Sequence, residues 1–224
     1  MHVAAGKWLV VVSLFTGSAG AQAVWLAGGG TGVSTLSGDA RSVISASSSA
    51  ISQYKPENGP LVHVFGGRHL REYLSVQGAW SWNRNALALL SSRVEAGRET
   101  LYEQGRSSSQ HNGAVDALLY FRHRASFARP FLSVGLGVMS FHSADPDLRV
   151  TKGAPVAPGP RFSAVKPGLR VAAGIDLMMR SSGWGFRYAF LETIQGNPVS
   201  PRLDPPGQRG LANFQNIFGV VKYF

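Results

Sequence analysis

The feature that most constrains the fold is an alternation of apolar and polar residues, which recurs in eight segments of about ten residues or more. A period of two places successive side chains on opposite faces of an extended strand, whereas a helix would need apolar residues every three or four positions. The pattern therefore predicts an all-β chain with eight long strands. They fall near residues 24–35, 60–69, 74–84, 111–122, 129–142, 162–179, 184–195 and 211–224.

The connections between these segments alternate between short and long. Three links are short, and the other four run near 36–59, 85–110, 143–161 and 196–210. Short turns at one end and long loops at the other are typical of outer-membrane barrels, whose tilted strands of about ten residues cross the bilayer. We therefore expect an eight-stranded antiparallel up-and-down transmembrane β-barrel. The segment 85–110 is compatible with a loop and with an extension of the third and fourth strands.

The faces of neighbouring strands agree across the short turns. Centring the last short turn on Ser181 and Ser182 places Asp176 opposite Arg187, with apolar residues opposite each other on either side. A slip of one residue would exchange the two faces of a strand, so this agreement supports hairpins. An antiparallel hairpin of a soluble sheet would satisfy the same test.

The polar face of each strand combines small residues with isolated charges, and the opposite face is bulky and apolar. A soluble barrel would bury the bulky face, whereas the narrow lumen of an eight-stranded barrel accepts small side chains and a few long charged ones. Buried charges need partners, so we expect Asp176 to pair with Arg187 and Asp116 to meet another basic residue. The basic excess implies water or a bound anion in the lumen. The predicted lumen network comprises Arg68, Asp116, Lys166, Arg170, Asp176 and Arg187.

Aromatic residues are expected to form two bands at the level of the bilayer surfaces. A soluble lipocalin-like β-barrel in the periplasm is the structural alternative, and it would place its aromatic residues in the core. The predicted girdle comprises Trp25, Trp80, Trp82, Phe141, Trp184 and Tyr223.

The first 23 residues have the organisation of a cleavable secretory signal: Lys7, an apolar run at 8–15 and a small-residue site at 21–23. We expect 1–23 to be removed and 24–224 to form the barrel. The chain contains no cysteine, and no segment after the signal offers about twenty consecutive apolar residues for a spanning helix. The net charge of +10 favours anionic partners, and export makes nucleic acid the least expected of them.

Four features resemble the eight-stranded outer-membrane barrels typified by the transmembrane domain of outer membrane protein A and its opacity-like relatives. They are the signal ending Ala21-Gln22-Ala23, the first strand Val24-Trp25-Leu26-Ala27-Gly28-Gly29-Gly30, the second strand ending Phe65-Gly66-Gly67-Arg68, and the final Phe224. The resemblance covers the whole mature chain. It implies a bacterial outer-membrane protein with both mature termini in the periplasm.

The resemblance also implies that the barrel-assembly machinery reads the last strand. The residues expected to carry this signal are Phe218, Val220 and Phe224. Lys222 and Asn216 share their face and depart from the family pattern, which prefers apolar residues there. A lipid-facing Lys near the interface costs only about 0–1 kcal/mol, so Asn216 is the larger departure.

One group of residues has the composition used by barrel enzymes that modify lipid A: His142 and Ser143, with Asp145. Adjacent residues on a strand point to opposite faces, so His142 does not reach Ser143 as a base must reach its nucleophile. The other histidines lack metal-ligand spacing, and we expect no metal and no cofactor.

We therefore expect a non-enzymatic, monomeric surface barrel without a wide pore. Its basic loops are expected to bind lipopolysaccharide phosphates or other surface ligands, and membrane lipids are expected to surround it. A lipid A-modifying barrel enzyme is the functional alternative.

Overall fold

The structure, a computed structural model, describes residues 24–37, 41–44, 48–95, 98–144, 147–152, 161–179, 182–199 and 209–224. The predicted signal at 1–23 and Asp145 lie outside the described residues. The strands are β1 (Trp25–Leu36), β2 (Arg41–Ile44), β3 (Ser48–Pro56), β4 (Gly59–His69), β5 (Leu74–Glu95), β6 (Arg98–Tyr120), β7 (Ala128–Ser143), β8 (Asp147–Lys152), β9 (Phe162–Met178), β10 (Trp184–Gly196) and β11 (Gly210–Tyr223). In the described part of the chain, no helix has the length and apolar character needed to cross a membrane.

Eight of these strands form a closed antiparallel barrel. Around the barrel they follow the order β1, β4, β5, β6, β7, β9, β10 and β11, and β11 pairs with β1 to close the ring. The predicted eight-stranded antiparallel barrel is therefore confirmed. At the end that carries the short turns, every strand ends or begins within two residues of its predicted position.

The short-turn end of the barrel carries the links at 70–73, 121–127 and 179–183. Gly183 has a φ of 65°, a left-handed conformation that glycine adopts without the penalty of a Cβ. The two ends of the described chain meet here, because the Phe224 N–H donates to the Trp25 carbonyl at 2.9 Å. The seam between β1 and β11 is thus hydrogen-bonded up to the last residue.

At the opposite, long-loop end, the barrel continues into a five-stranded sheet. β5 and β6 pair from Leu74 opposite Leu119 to Glu95 opposite Arg98. β3 joins the outer part of β5, β2 joins β3, and β8 joins β6. Segment 85–110 therefore extends the third and fourth predicted strands, and the connections 36–59 and 143–161 also contain strands.

The two faces of the barrel strands differ as the alternation requires. Bulky apolar side chains face outward, with 71% of Leu136, 61% of Val115 and 61% of Phe218 exposed. The inward face combines buried polar residues with apolar clusters that fill the lumen. The cluster nearest the long-loop end comprises Leu36, Leu87, Met139, Phe141, Phe162, Val199 and Leu211.

The prediction that Arg68 lies in the lumen is wrong. On β4 the inward positions are odd-numbered, and Arg68 pairs with the exposed Trp25 and Val76 on the outward face. Its guanidinium lies 5.7 Å from the centre of a Trp25 ring, a cation–π arrangement. Charge indicated the interior for this residue, but the register of the strand decides its face.

Phe141 and Tyr223 were wrongly assigned to the aromatic girdle. The alternation of β7 continues through Phe141, which is fully buried and stacks on Phe162 with ring centres 5.6 Å apart. Tyr223 shares the inward face of β11 with Val221, and its hydroxyl donates to Asp176 inside the barrel. The position of an aromatic residue along its strand predicted its distance from the end of the barrel. It did not predict whether the side chain faces outward or into the lumen.

The two departures on the outward face of β11 both have partners. The Asn216 side-chain oxygen accepts a hydrogen bond from the Tyr188 hydroxyl at 3.0 Å. The Lys222 ammonium donates to the Ser182 carbonyl and lies 5.2 Å from the Trp184 ring centre. A polar group that is hydrogen-bonded costs less in apolar surroundings, so these residues are compatible with an outward apolar face.

The register of the closing seam predicts a specific cross-link. Thr35 of β1 lies directly opposite Phe214 of β11, and opposite residues have Cα atoms about 4.5–5.5 Å apart, within disulfide range. We expect Thr35→Cys with Phe214→Cys to form an intramolecular disulfide on oxidation, because the natural chain supplies no competing thiol. Thiol counting by mass spectrometry measures the bond.

The matched control is Thr35→Cys with Asn216→Cys, a diagonal pair about 7–8 Å apart that should cross-link poorly. Efficient cross-linking of this control, with little in the first pair, would contradict the register.

Candidate functional site

The lumen contains, towards the short-turn end, a buried, two-pronged ion pair between Asp176 and Arg187. The Arg187 Nε lies 2.6 Å from Asp176 Oδ1, and its Nη2 lies 2.8 Å from Oδ2. The two residues are direct register partners of β9 and β10, the pairing that the short turn predicts. Such a fork-to-carboxylate geometry is stronger and more directional than a single contact.

Two tyrosines complete the shell around Asp176. The Tyr223 hydroxyl donates to Asp176 Oδ2 at 2.5 Å, and the Tyr120 hydroxyl lies 3.2 Å from the same oxygen. The Arg187 guanidinium is also stacked, 4.3 Å from the Phe65 ring centre and 4.9 Å from that of Phe131. The pair is therefore both hydrogen-bonded and packed, as a buried charge requires.

A second buried pair joins Asp116 to Arg170. The Arg170 Nε lies 3.1 Å from Asp116 Oδ1, and both side chains are about 1% exposed. Gln77 connects the two pairs, because its amide donates to Asp116 at 3.4 Å and its oxygen accepts from Arg187 at 3.1 Å. The lumen network thus runs without interruption through residues of β5, β6, β9, β10 and β11.

Space for Asp116 depends on a glycine in the neighbouring strand. A Cβ at Gly135 would lie 2.2 Å from Asp116 Oδ1 and 2.3 Å from the Val115 carbonyl oxygen. Because the second contact is with backbone, a side chain here would displace the strand as well as the carboxylate. The small residues of the inward face therefore make room for the charged ones.

The remaining predicted residues lie where alternation puts them. Lys166 is half-buried and opposite the inward-facing Met139. The outward-facing predicted residues are Trp25, Trp80, Trp82, Trp184, Phe218, Val220 and Phe224. Trp25 and Trp184 lie near the short-turn end, whereas Trp80 and Trp82 lie further along β5 towards the long-loop end.

Four further residues of the lumen were not predicted from the sequence: Gln77, Arg106, Tyr120 and Arg129. All four are buried on the inward face. Arg106 donates to the Ser143 hydroxyl at 2.9 Å and lies over the Phe162 ring. Strand alternation was the available signal, since Tyr120 shares its parity with Asp116 on β6 and Arg129 shares its parity with Gly135 on β7.

A surface ion pair ties two short turns together. Glu72 accepts hydrogen bonds from the Arg124 backbone N–H at 2.6 Å and from its Nε at 3.1 Å. The backbone hydrogen bond and the nearby guanidinium lower the pKa of Glu72 from its usual value. The links 70–73 and 121–127 are therefore held against each other at neutral pH.

The outer surface near the long-loop end contains a cleft of about 920 Å³, which we call the rim cleft. Exposed Arg84, Arg161 and His142 line it together with serine hydroxyls, and none of its described lining residues is acidic. It is lined by Trp82, Arg84, Ser107, Ser108, Ser109, His142, Ser143, Ala144, Arg161, Phe162 and Ser163. The cleft therefore combines positive charge, hydroxyl donors and an indole, a lining that suits a phosphate or sulfate group.

His142 and Ser143 lie on opposite faces of β7. His142 is exposed on the outer surface and contacts the Ser140 hydroxyl at 3.0 Å, whereas Ser143 is buried beside Arg106. The candidate base and nucleophile are thus separated by the backbone. Within the described ranges, no three His, Asp or Glu side chains form a metal-binding group.

Breaking the Asp176–Arg187 ion pair by one substitution should destabilise the barrel more than replacing both of its residues. Asp176→Asn leaves the Arg187 charge buried without its carboxylate, which typically costs about 3–5 kcal/mol. Adding Arg187→Met removes the orphaned charge, so we expect the double variant to regain part of the lost stability. Urea unfolding in lipid vesicles, followed by tryptophan fluorescence, measures the free energy of unfolding of both variants.

The control is Glu72→Gln, which changes an exposed pair and should cost about 1 kcal/mol or less. A double variant that is no more stable than Asp176→Asn would contradict a coupled pair.

The sequence matches no protein-family model and no curated protein. Among solved structures it is similar to Neisserial surface protein A, with 11% identity over 91% of this chain and 100% of that chain and a TM-score of 0.50. It is also similar to Ail of Yersinia pestis, solved with the heparin analogue sucrose octasulfate, with 9% identity, the same coverages and a TM-score of 0.50. The chain therefore has the fold of the eight-stranded outer-membrane β-barrel proteins.

Proposed function

We propose that this protein is an integral barrel of the bacterial outer membrane that binds anionic surface ligands in the rim cleft without catalysing a reaction. The location is supported first by the outward apolar surface. Exposed apolar patches of more than a few hundred Å² are rare on soluble monomers. In this barrel, the outward faces of the strands carry exposed apolar residues all around the surface, as in outer-membrane barrels. A soluble lipocalin-like barrel would have the opposite distribution.

Tryptophans near both ends of the outward surface support the same location. Trp25 and Trp184 lie towards the short-turn end, and Trp80 and Trp82 lie towards the other. Indole rings favour the interface between headgroups and hydrocarbon. In this orientation the short turns and both mature termini face the periplasm, the long-loop end faces outward, and residues 1–23 serve as the signal for export.

A filled lumen argues for binding rather than transport. The ion pairs of Asp116 and Asp176 and the apolar clusters occupy the interior, as expected for a barrel of eight strands. An enzyme that modifies lipid A would need its base to reach its nucleophile. The candidates for these roles, His142 and Ser143, lie on opposite faces of β7 and do not meet. The rim cleft is the surface of the described residues at the long-loop end that has the chemistry for binding an anion.

The observation that carries the binding proposal is the arrangement of Arg84, Arg161 and His142 at the level of an interfacial tryptophan. Lipopolysaccharide places phosphates at this depth, and a guanidinium binds a phosphate with two hydrogen bonds. The sucrose octasulfate in the Ail structure, like lipopolysaccharide, presents tetrahedral oxyanions on a sugar, so it is a suitable second probe. The partners of the barrel would thus be membrane lipid, lipopolysaccharide and, through the strand ending in Phe218, Val220 and Phe224, the assembly machinery.

The proposed location predicts a folded barrel that stays in the membrane. After expression with its first 23 residues, the protein should sediment with outer membranes and run at different positions on a gel before and after boiling. Closed barrels resist detergent at room temperature because every strand is paired. Recovery in the soluble periplasmic fraction, with no effect of boiling on mobility, would contradict the proposal.

If lipopolysaccharide binds in the rim cleft, substitutions there should lower its affinity, whereas substitutions at the short-turn end should not. Arg84→Gln with Arg161→Gln should weaken binding of lipopolysaccharide to the detergent-solubilised barrel by about tenfold or more, since each charge-assisted hydrogen bond contributes about 1.5–3 kcal/mol. Sucrose octasulfate should compete for binding. Fluorescence anisotropy with labelled lipopolysaccharide measures the affinity.

Arg71→Gln with Arg122→Gln is the matched control, because it removes the same charge from exposed positions at the short-turn end. Equal affinity for dephosphorylated lipopolysaccharide, or binding that is insensitive to salt, would exclude phosphate recognition.

A further inference from the structure

We propose that the short-turn end of the barrel contains a second site, which binds one small oxyanion, a phosphate or a carboxylate, through Arg129. The site is a cavity of about 240 Å³ that we call the short-turn pocket. Its lining includes Arg124, Ser126, Phe127, Arg129, Met178 and Tyr223. This pocket is at the opposite end of the barrel from the rim cleft, and the proposal does not depend on the proposed function.

Arg129 is a buried cation with two unsatisfied donor nitrogens. The side chain is 1% exposed, and neither its Nε nor its Nη2 has a hydrogen-bond partner in the described part of the chain. Its guanidinium lies 4.1 Å from the Tyr120 ring centre and 5.2 Å from that of Tyr223. Stacking covers the faces of the guanidinium but leaves N–H groups at its edge unsatisfied, and buried donors without acceptors are costly.

The carboxylates of the lumen already have hydrogen-bond partners. Asp176 is the direct register partner of Arg129 across β7 and β9 and attracts it electrostatically, but its oxygens already accept hydrogen bonds from Arg187, Tyr120 and Tyr223. Asp116 is paired with Arg170. Among the described residues, the buried charges around this network are three arginines, Arg129, Arg170 and Arg187, and two aspartates, Asp116 and Asp176, so one arginine exceeds the carboxylates beside it.

The chemistry of the pocket favours an oxyanion. A guanidinium presents parallel N–H donors that match two oxygens of a carboxylate or phosphate. Ser126 lines the same cavity, whereas Arg124 is engaged by Glu72 and contributes mainly positive potential. The volume is below the roughly 300–1,000 Å³ of pockets for drug-sized ligands, so the pocket suits a small anion or the end of a longer chain.

The test is a titration of the whole folded barrel in maltoside micelles with inorganic phosphate or acetate, at constant ionic strength in chloride. A ligand that binds only the folded state raises the unfolding temperature in a saturable way. We expect this rise in the natural protein, measured as the temperature at which the folded gel band disappears. A larger effect of phosphate than of acetate assigns the site to phosphates, and the reverse assigns it to carboxylates.

Arg129→Lys keeps the charge and the aliphatic stem but loses the parallel N–H donors of the planar guanidinium. We therefore expect this variant to fold and to bind the anion at least tenfold more weakly. Arg122→Met removes an exposed charge from the same end and should bind like the natural protein. In a spectrum of ¹⁵Nε-labelled arginine, one resonance that is missing from Arg129→Lys should shift on titration. No rise in the natural protein, or an equal rise in Arg129→Lys, would overturn the proposal.

Discussion

Two carboxylates, Asp116 and Asp176, hold the interior of this barrel together. Each pairs with an arginine, and Gln77 joins the two pairs into one network that crosses four strands. The glycines and alanines of the inward face leave the space that these long side chains occupy. The same network fills the lumen. It also occupies the oxygens of Asp176, the register partner of Arg129, with hydrogen bonds from Arg187, Tyr120 and Tyr223.

The barrel and part of its interior could be predicted from the sequence because alternation fixes the face of each residue relative to its neighbours. The Asp176–Arg187 pair followed from the parity across one short turn. Arg68 was misassigned because its charge was given more weight than its parity on β4. Phe141 and Tyr223 were misassigned because an aromatic ring at a strand end suits an interface and a lumen equally well, and only their parity separates the two.

Other features could not be predicted because they depend on contacts between distant segments. Gln77 connects residues of β6 and β10, and its polar side chain alone does not reveal which two pairs it bridges. The continuation of β5 and β6 likewise depends on pairing with β3 and β8, whose sequences were assigned to loops. Asn216 was read as a departure on an apolar face, and its hydrogen bond to Tyr188 became visible only with the register of β10 and β11.

The extended β5–β6 hairpin places its tip far beyond the rim cleft along the barrel axis. Glu95 lies thirteen residues beyond Trp82, about 44 Å along a strand that rises roughly 3.4 Å per residue. In the proposed orientation, a bulky particle held away from the bilayer by a layer of sugars would touch the hairpin tip without approaching the rim cleft. Steric access would then sort ligands by size, with large partners at the tip and small lipid-borne anions at the cleft.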